Sequence, residues 1–308
     1  MSPRQHSPPR PSVRLAQNFL KDPSLITALV SQADLNGEDI VLEIGPGRGI
    51  ITKELAKVCR RVLAIEVEAG LAALLTKQFR ELGNVDVINA DMLQSELPNH
   101  AYKVFSNIPF NITADILRKL LYGNNTPARA YLIIQREAAG KYSGLQRQSQ
   151  ASLLLKPWYD FHIVHQFHRS DFEPVPGVDV VLLDIQRREH PLVTSADAEL
   201  YRRFVSYGFG RQRANLGKSY KKVFSHRQWK RLAQDLGFDV HALPTDLSFA
   251  QWLGVFQFFA EGIASGFAKL PTEMSTSSGA GPNAPIPARA TRGYPDQSWK
   301  NRKSRQAR

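Results

Sequence analysis

The stretch Asn107-Ile108-Pro109-Phe110 ends an apolar run that contains Tyr102, Val104 and Phe105. A turn needs only the Asn and the Pro. The added ring, held at a strand tip, suits a flat ligand. An exocyclic amine on a nucleobase is a poor nucleophile, because its lone pair is delocalised into the ring. Two acceptors that take both N–H bonds favour its pyramidal, nucleophilic form. The Asn107 side-chain oxygen can be one and a backbone carbonyl near Ile108 the other, with Pro109 fixing the turn. Phe110 can stack on the base, which must be unpaired or flipped out to reach such a pocket. Group transfer to that amine then depends mostly on alignment, without a metal or a covalent intermediate.

The elements that must position this turn alternate along the chain. Short apolar strands are expected at 39–45, 61–66, 85–89, 102–107 and 128–135, with helices between them. The helix at 68–82 carries Leu71, Leu74, Leu75 and Phe79 at helical spacing. Strands and helices in alternation predict a parallel sheet covered on both faces. Two later strands, at 161–167 and 178–186, lack a long helix between them and should close the sheet in antiparallel fashion. From 194 onward only helical patterns occur, at 197–209, 214–224, 226–236 and 248–260. Trp252, Phe256 and Phe259 lie at helical spacing there, as core residues would.

In an open parallel sheet, ligands bind outside the carboxyl ends of the strands. Gly45, Gly47 and Gly49 follow the first of these strands and precede a helix, so backbone can approach a ligand closely there. Glu66 ends the next strand, 21 residues after Gly45, where a carboxylate suits two ribose hydroxyls. Asp91 comes just past the third strand, placed to accept from an adenine amino group. The spacing G-x-G-x-G does not meet the pyrophosphate fingerprint of NAD, and Glu43 adds an acid that would oppose a diphosphate. A cationic, phosphate-free cofactor, S-adenosylmethionine (SAM), is therefore favoured over NAD.

Composition adds the partner. Net charge is +12, and it is uneven. The first 14 residues hold Arg4, Arg10 and Arg14 without an acid, and residues 202–231 hold ten Lys/Arg without an acid. A basic module beside a net acidic body predicts a polyanionic partner, most simply nucleic acid. Arg211, Arg213, Lys218, Lys221 and Lys222 are the candidate phosphate contacts, the first two made reachable by Gly208 and Gly210. Cys59, the single cysteine, excludes an internal disulfide and is expected to be a packing residue. No metal is expected: His162, His165 and His168 fall on differing faces of a strand with no carboxylate set beside them. No apolar run is long enough to span a bilayer, and the N-terminal residues lack a secretory h-region, so a cytoplasmic protein is expected.

The motifs Gln17-Asn18-Phe19-Leu20, "EIGPGRG", Glu66, Asp91, "NIPFNIT" and "FEPVPGVDVVLL" occur in the order seen in rRNA adenine N6-methyltransferases. The chain resembles that family over roughly residues 14 to 260, and most resembles its erythromycin-resistance (Erm) enzymes. The resemblance implies an α/β Rossmann-like SAM-dependent methyltransferase domain at 15–193 and a small α-helical, basic C-terminal domain at 194–269. Tails at 1–14 and 270–308, rich in Pro, Ser, Gly and Arg, are expected to be disordered. The resemblance further implies a monomer that mono- or dimethylates one adenine of 23S rRNA in the nascent or partly assembled large subunit, with resistance to macrolide, lincosamide and streptogramin B antibiotics. The sister activity, dimethylation of adjacent adenines in 16S rRNA, shares nearly every motif. A non-catalytic nucleic-acid-binding protein is the third reading, which the complete Asn107-Pro109-Phe110 and Glu66/Asp91 sets argue against. By motif, Asn18 and Leu20 would contact SAM together with Gly45, Glu66, Asp91 and Asn107, and Phe172 would be a second aromatic beside the target base. Three positions depart from the family: Phe110 stands where Tyr is often found, "NIT" shortens the turn by one residue, and Gly177 replaces a common Lys.

Overall fold

The computed structural model describes residues 18–123, 125–210, 215–265 and 271. The two tails lie almost wholly outside them, as do Arg211 and Arg213.

Nine strands and ten α-helices are found among the described residues. The chain enters through a two-residue strand β1 (Phe19–Leu20) and helix α1 (Pro23–Gln32). Asp22 caps α1 by accepting from the Ser24 N–H, and Pro23 takes the first turn, where its missing N–H costs nothing. Then come β2 (Ile40–Ile44), α2 (Ile50–Val58), β3 (Arg61–Glu66), α3 (Ala69–Gln78), β4 (Val85–Asn89), β5 (Lys103–Asn107), α4 (Thr113–Leu121) and β6 (Arg129–Gln135). After α5 (Arg136–Ser143) and α6 (Gln150–Leu155) follow β7 (Tyr159–Gln166), the short β8 (Phe172–Glu173) and β9 (Val180–Arg187). Helices α7 (Ala198–Phe209), α8 (Leu216–Ser219), α9 (His226–Leu236) and α10 (Phe249–Ala264) complete the chain.

Seven strands form one sheet in the order β4-β3-β2-β5-β6-β9-β7. The first five run parallel, while β9 lies antiparallel between β6 and β7. This is the expected Rossmann-like α/β architecture with an antiparallel end. The strands β2, β5, β6 and β9 are almost wholly buried, as their continuous apolar runs require. The chain order reverses between β2 and β5, and a crevice forms at such a switch point. Here the parting is visible in the register. Val41 pairs with Lys103 and Leu42 with Val104, but beyond them Ser106 replaces the ladder. Its hydroxyl accepts from the Ile44 N–H at 3.0 Å and donates to the Ile44 carbonyl at 2.6 Å. The two strand tips are thereby tied but spread apart.

Two expectations need correction. The segment expected to be a helix over 214–224 holds only four α-helical residues, Leu216–Ser219. Tyr220 then turns inward, stacked on Phe204 at 4.7 Å, and its hydroxyl donates to the Phe204 carbonyl. Burying that ring bends the chain where periodicity alone would extend the helix. In α3 the buried stripe is Ala72 and Leu75, continued by Phe79 just past its end, while Leu74 is 64% exposed. Leu75 and Phe79 face Gly49, which fixes the rotation of the helix and turns Leu74 outward.

The helical segment shares a continuous apolar core with one face of the sheet. Leu42, Val104 and Leu132 belong to the same buried cluster as Tyr201, Phe204, Trp252 and Phe256. Phe256 and Phe259 pack against Phe204, and Trp252 and Tyr220 leave no room for a side chain at Gly208. Helix α7 therefore runs through Gly208 and is capped at Gly210. No described helix is long and apolar enough to cross a membrane.

Candidate functional site

The glycine turn and the Asn107 turn meet in the crevice. A Cβ built on Gly45 would come within 3.9 Å of the Pro109 ring, in ordinary contact. Gly45 has φ +66 and Gly49, the N-cap of α2, has φ +78, both in the left-handed region that favours glycine. Gly49 is also packed tightly, since an added Cβ would sit 2.7 Å from Leu75 and 2.8 Å from Phe79. The turn is thus pressed flat against α3 on one side and open toward Pro109 on the other.

Glu66 is buried at the end of β3. Its carboxylate accepts from the Gly47 N–H at 3.2 Å and from the Glu68 N–H at 2.9 Å. Asp91, exposed just past β4, accepts from the Leu93 N–H with one carboxylate oxygen. Gly45, Glu66 and Asp91 follow one another along the carboxyl ends of β2, β3 and β4, and Asn107 stands across the crevice on β5. Two acids on neighbouring strand ends beside a glycine turn fit a cationic cofactor carrying ribose hydroxyls and an amino-bearing base.

Glu43 does not take the place anticipated for it beside a ligand. It is buried beneath the turn, and its carboxylate accepts from the Thr52 hydroxyl at 2.6 Å. Burial pushes its pKa up to about 8, with Glu66 adding repulsion against the partial relief from Thr52. Its carboxyl is therefore mostly neutral near pH 7, and it ties strand β2 to helix α2 instead of presenting a charge. Cys59 is buried as expected, its thiol pushed up to about 11 by burial.

Asn107 ends β5 half-buried. Its amide N–H donates to the Asn18 carbonyl at 2.7 Å. That bond fixes which end of the amide is nitrogen, so the side-chain oxygen is left as an acceptor, and among the described residues no donor is bonded to it. The Ile108 N–H donates to the Ile133 carbonyl, which seats the turn on β6. The Pro109 carbonyl is taken by the Ile112 N–H. Phe110 opens a single 3-10 turn, Phe110–Ile112, and stays half-buried with part of its ring accessible. The shortened "NIT" is accommodated here, with α4 starting directly at Thr113.

Two residues are placed otherwise than expected. Phe172 is fully buried, edge-on to Phe167 at 5.3 Å. The ring has no accessible face in this structure and packs in the core. Leu20 is likewise buried, and it pairs with Phe172 where β1 meets β8. Leu20 anchors the entering strand, and Asn18, two residues before it, supplies the carbonyl that orients Asn107. The sequence also gave no sign of Phe19, whose ring lies where a Cβ on Gly47 would fall, 2.6 Å away, with the Arg48 guanidinium 5.2 Å above it. The signal available was the glycine itself, which permits a ring to rest on backbone. Lys218, Lys221 and Lys222 are exposed on α8 and the turn after it. Among the described residues no cluster of His, Cys, Asp or Glu could hold a metal ion.

Residues 11–261 match the ribosomal RNA adenine dimethylase family. The chain belongs to that family. It is 32% identical over 250 residues to an rRNA adenine N-6-methyltransferase of Limosilactobacillus reuteri, covering 80% of this chain and 96% of the relative. It is 30% identical over 269 residues to a ribosomal RNA small subunit methyltransferase A of Acaryochloris marina, covering 80% of this chain and 96% of that one. Among solved structures, the 23S rRNA methyltransferase ErmE superposes with a TM-score of 0.74 at 30% identity, over 79% of this chain and all of ErmE. The chain is an rRNA adenine N6-methyltransferase.

Proposed function

We propose that this chain transfers a methyl group from SAM to N6 of one adenine of 23S rRNA in the nascent or partly assembled large subunit, giving resistance to macrolide, lincosamide and streptogramin B antibiotics. The observation that carries the chemistry is the orientation of Asn107, whose nitrogen is spent on Asn18, which leaves its oxygen as an acceptor. That oxygen and the Ile108 carbonyl take the two amine N–H bonds and direct the nitrogen lone pair across the crevice. Phe110 stacks on the adenine, a contact worth about 1–3 kcal/mol. Glu66 holds the ribose hydroxyls, Asp91 the adenine amino group of the cofactor, and the turn at Gly45 admits its amino-acid end. When bound, SAM would supply an electrophilic methyl on a sulfonium sulfur for the oriented amine to take, the electron pair of the broken carbon–sulfur bond staying with sulfur. The amine proton then passes to water. Lys218, Lys221 and Lys222 contact phosphates outside the crevice.

The large-subunit target is supported by the likeness to ErmE over the whole of that chain. The small-subunit reading is favoured by the relative in Acaryochloris marina. Labelled SAM offered with unmethylated ribosomal RNA, followed by primer extension on both rRNAs, separates the two. A single stop on 23S rRNA is expected, and adjacent stops on 16S rRNA would overturn the target. Asn107→Ala should lower turnover by at least about a hundredfold, as loss of an oriented polar group does, while RNA binding persists. A comparable loss of RNA affinity would refute the role given to Asn107.

A further inference from the structure

With Phe172 in the core, two exposed apolar groups follow it in the chain: Val175, 64% exposed, and Val178, 40% exposed. They lie in the loop 174–178 between β8 and β9, in the sequence Pro-Val-Pro-Gly-Val. Both ends of this loop are anchored beside Asn107. At its start, Glu173 pairs with Phe19, the neighbour of the Asn18 whose carbonyl holds the Asn107 amide. At its end, the Asp179 carbonyl accepts from the Arg136 N–H, at the tip of β6, the strand that flanks β5. Both ends of the loop are thus tied to segments that flank the Asn107 turn.

Its outer side is free. A Cβ on Gly177 would meet nothing within 4 Å. Its ends are flanked by two cations, Arg48 at 3.9 Å from Glu173 and Arg169 at 2.8 Å from Asp179, each with half or more of its side chain exposed. Exposed valines in a proline-bounded loop lose little rotamer freedom when a flat group packs on them.

We infer that loop 174–178 is an apolar wedge, in which Val175 and Val178 pack against the RNA base next to the extruded adenine. This rests on the reading of the chain as a methyltransferase acting on a base of RNA. Extracting a base breaks its stacking with both neighbours, and apolar side chains that fill the gap are a general means of offsetting that cost. The flanking guanidiniums suit the phosphates on either side of the gap, and continuity with the base-binding crevice identifies the occupant as a nucleobase.

The test uses the full chain and two RNA fragments carrying the nucleotide that primer extension identifies. In one the adenine is base-paired in a hairpin stem, and in the other it is unpaired. For Val175→Ser combined with Val178→Ser, KM for the paired RNA should rise about tenfold, with less than about twofold change on the unpaired RNA and no change in kcat there. Both side chains are exposed, so thermal unfolding should match the wild type; Val175→Ile should restore the paired-RNA KM when introduced beside Val178. 2-Aminopurine placed beside the adenine should brighten less with the double variant than with the wild type. Equal KM changes on both RNAs, or none, would overturn the wedge. Failure of the wild type to methylate either RNA would instead overturn the methyltransferase reading itself.

Discussion

Replacing Glu43 by Gln should remove a proton-linked cost that the fold carries near neutral pH. The carboxyl is fully buried, accepts one hydrogen bond from Thr52, and has its pKa raised from 4.5 to about 8. A raised folded-state value means the acid is easier to hold neutral in the folded chain than to ionise. Its contribution to stability is therefore whole below the unfolded value and is lost as the pH rises toward the folded one. Between those limits the unfolded chain has released the proton and the folded chain has not, so stability falls by about 1.4 kcal/mol per pH unit. From roughly pH 5.5 to 7.5 the wild type should lose about 2.5 kcal/mol relative to Glu43→Gln, whose amide does not titrate. The buried amide N–H groups of Gln can cost about 1–3 kcal/mol where they lack partners, but that offset is independent of pH. The assay is urea unfolding of both proteins at several pH values, followed by tryptophan fluorescence, and the quantity read is the difference between them. A difference that stays within about 0.5 kcal/mol across the range would refute a neutral Glu43 beneath the turn.

Two other substitutions test the placement of residues around the crevice. Phe172→Leu keeps a buried apolar side chain, so it should cost about 1–3 kcal/mol in denaturant unfolding. It should change kcat/KM on unpaired RNA by less than about twofold, whereas loss of a base-stacking ring would lower it about tenfold or more. Gly49→Ala combines a left-handed backbone with a Cβ 2.7 Å from Leu75, and should cost about 2–5 kcal/mol from backbone strain and overpacking. A loss under about 1 kcal/mol would mean that α3 shifts freely, against its tight seat on the turn.

The strands, the crevice and most of the groups around it are legible in local residue patterns. Continuously apolar strands such as Ile40–Ile44 and Arg129–Gln135 can be satisfied only between two layers of helices, so composition and spacing suffice to place Gly45, Glu66, Asp91 and Asn107 at adjoining strand ends. Which side chains face outward there depends on how distant segments pack. Phe172 and Val175 lie three residues apart in one polar-poor stretch, and nothing in their spacing separates a core ring from an exposed valine. Pairing of β8 with β1, distant in the chain, buries the ring, and Val175 in the loop after it stays exposed. Glu43 is a parallel case, since an acid two residues before a glycine turn can equally serve a ligand or a helix. Its seat against Thr52, out of water, settles that it holds the turn. Burial depends on contacts between segments far apart in sequence, and local patterns carry no record of those partners.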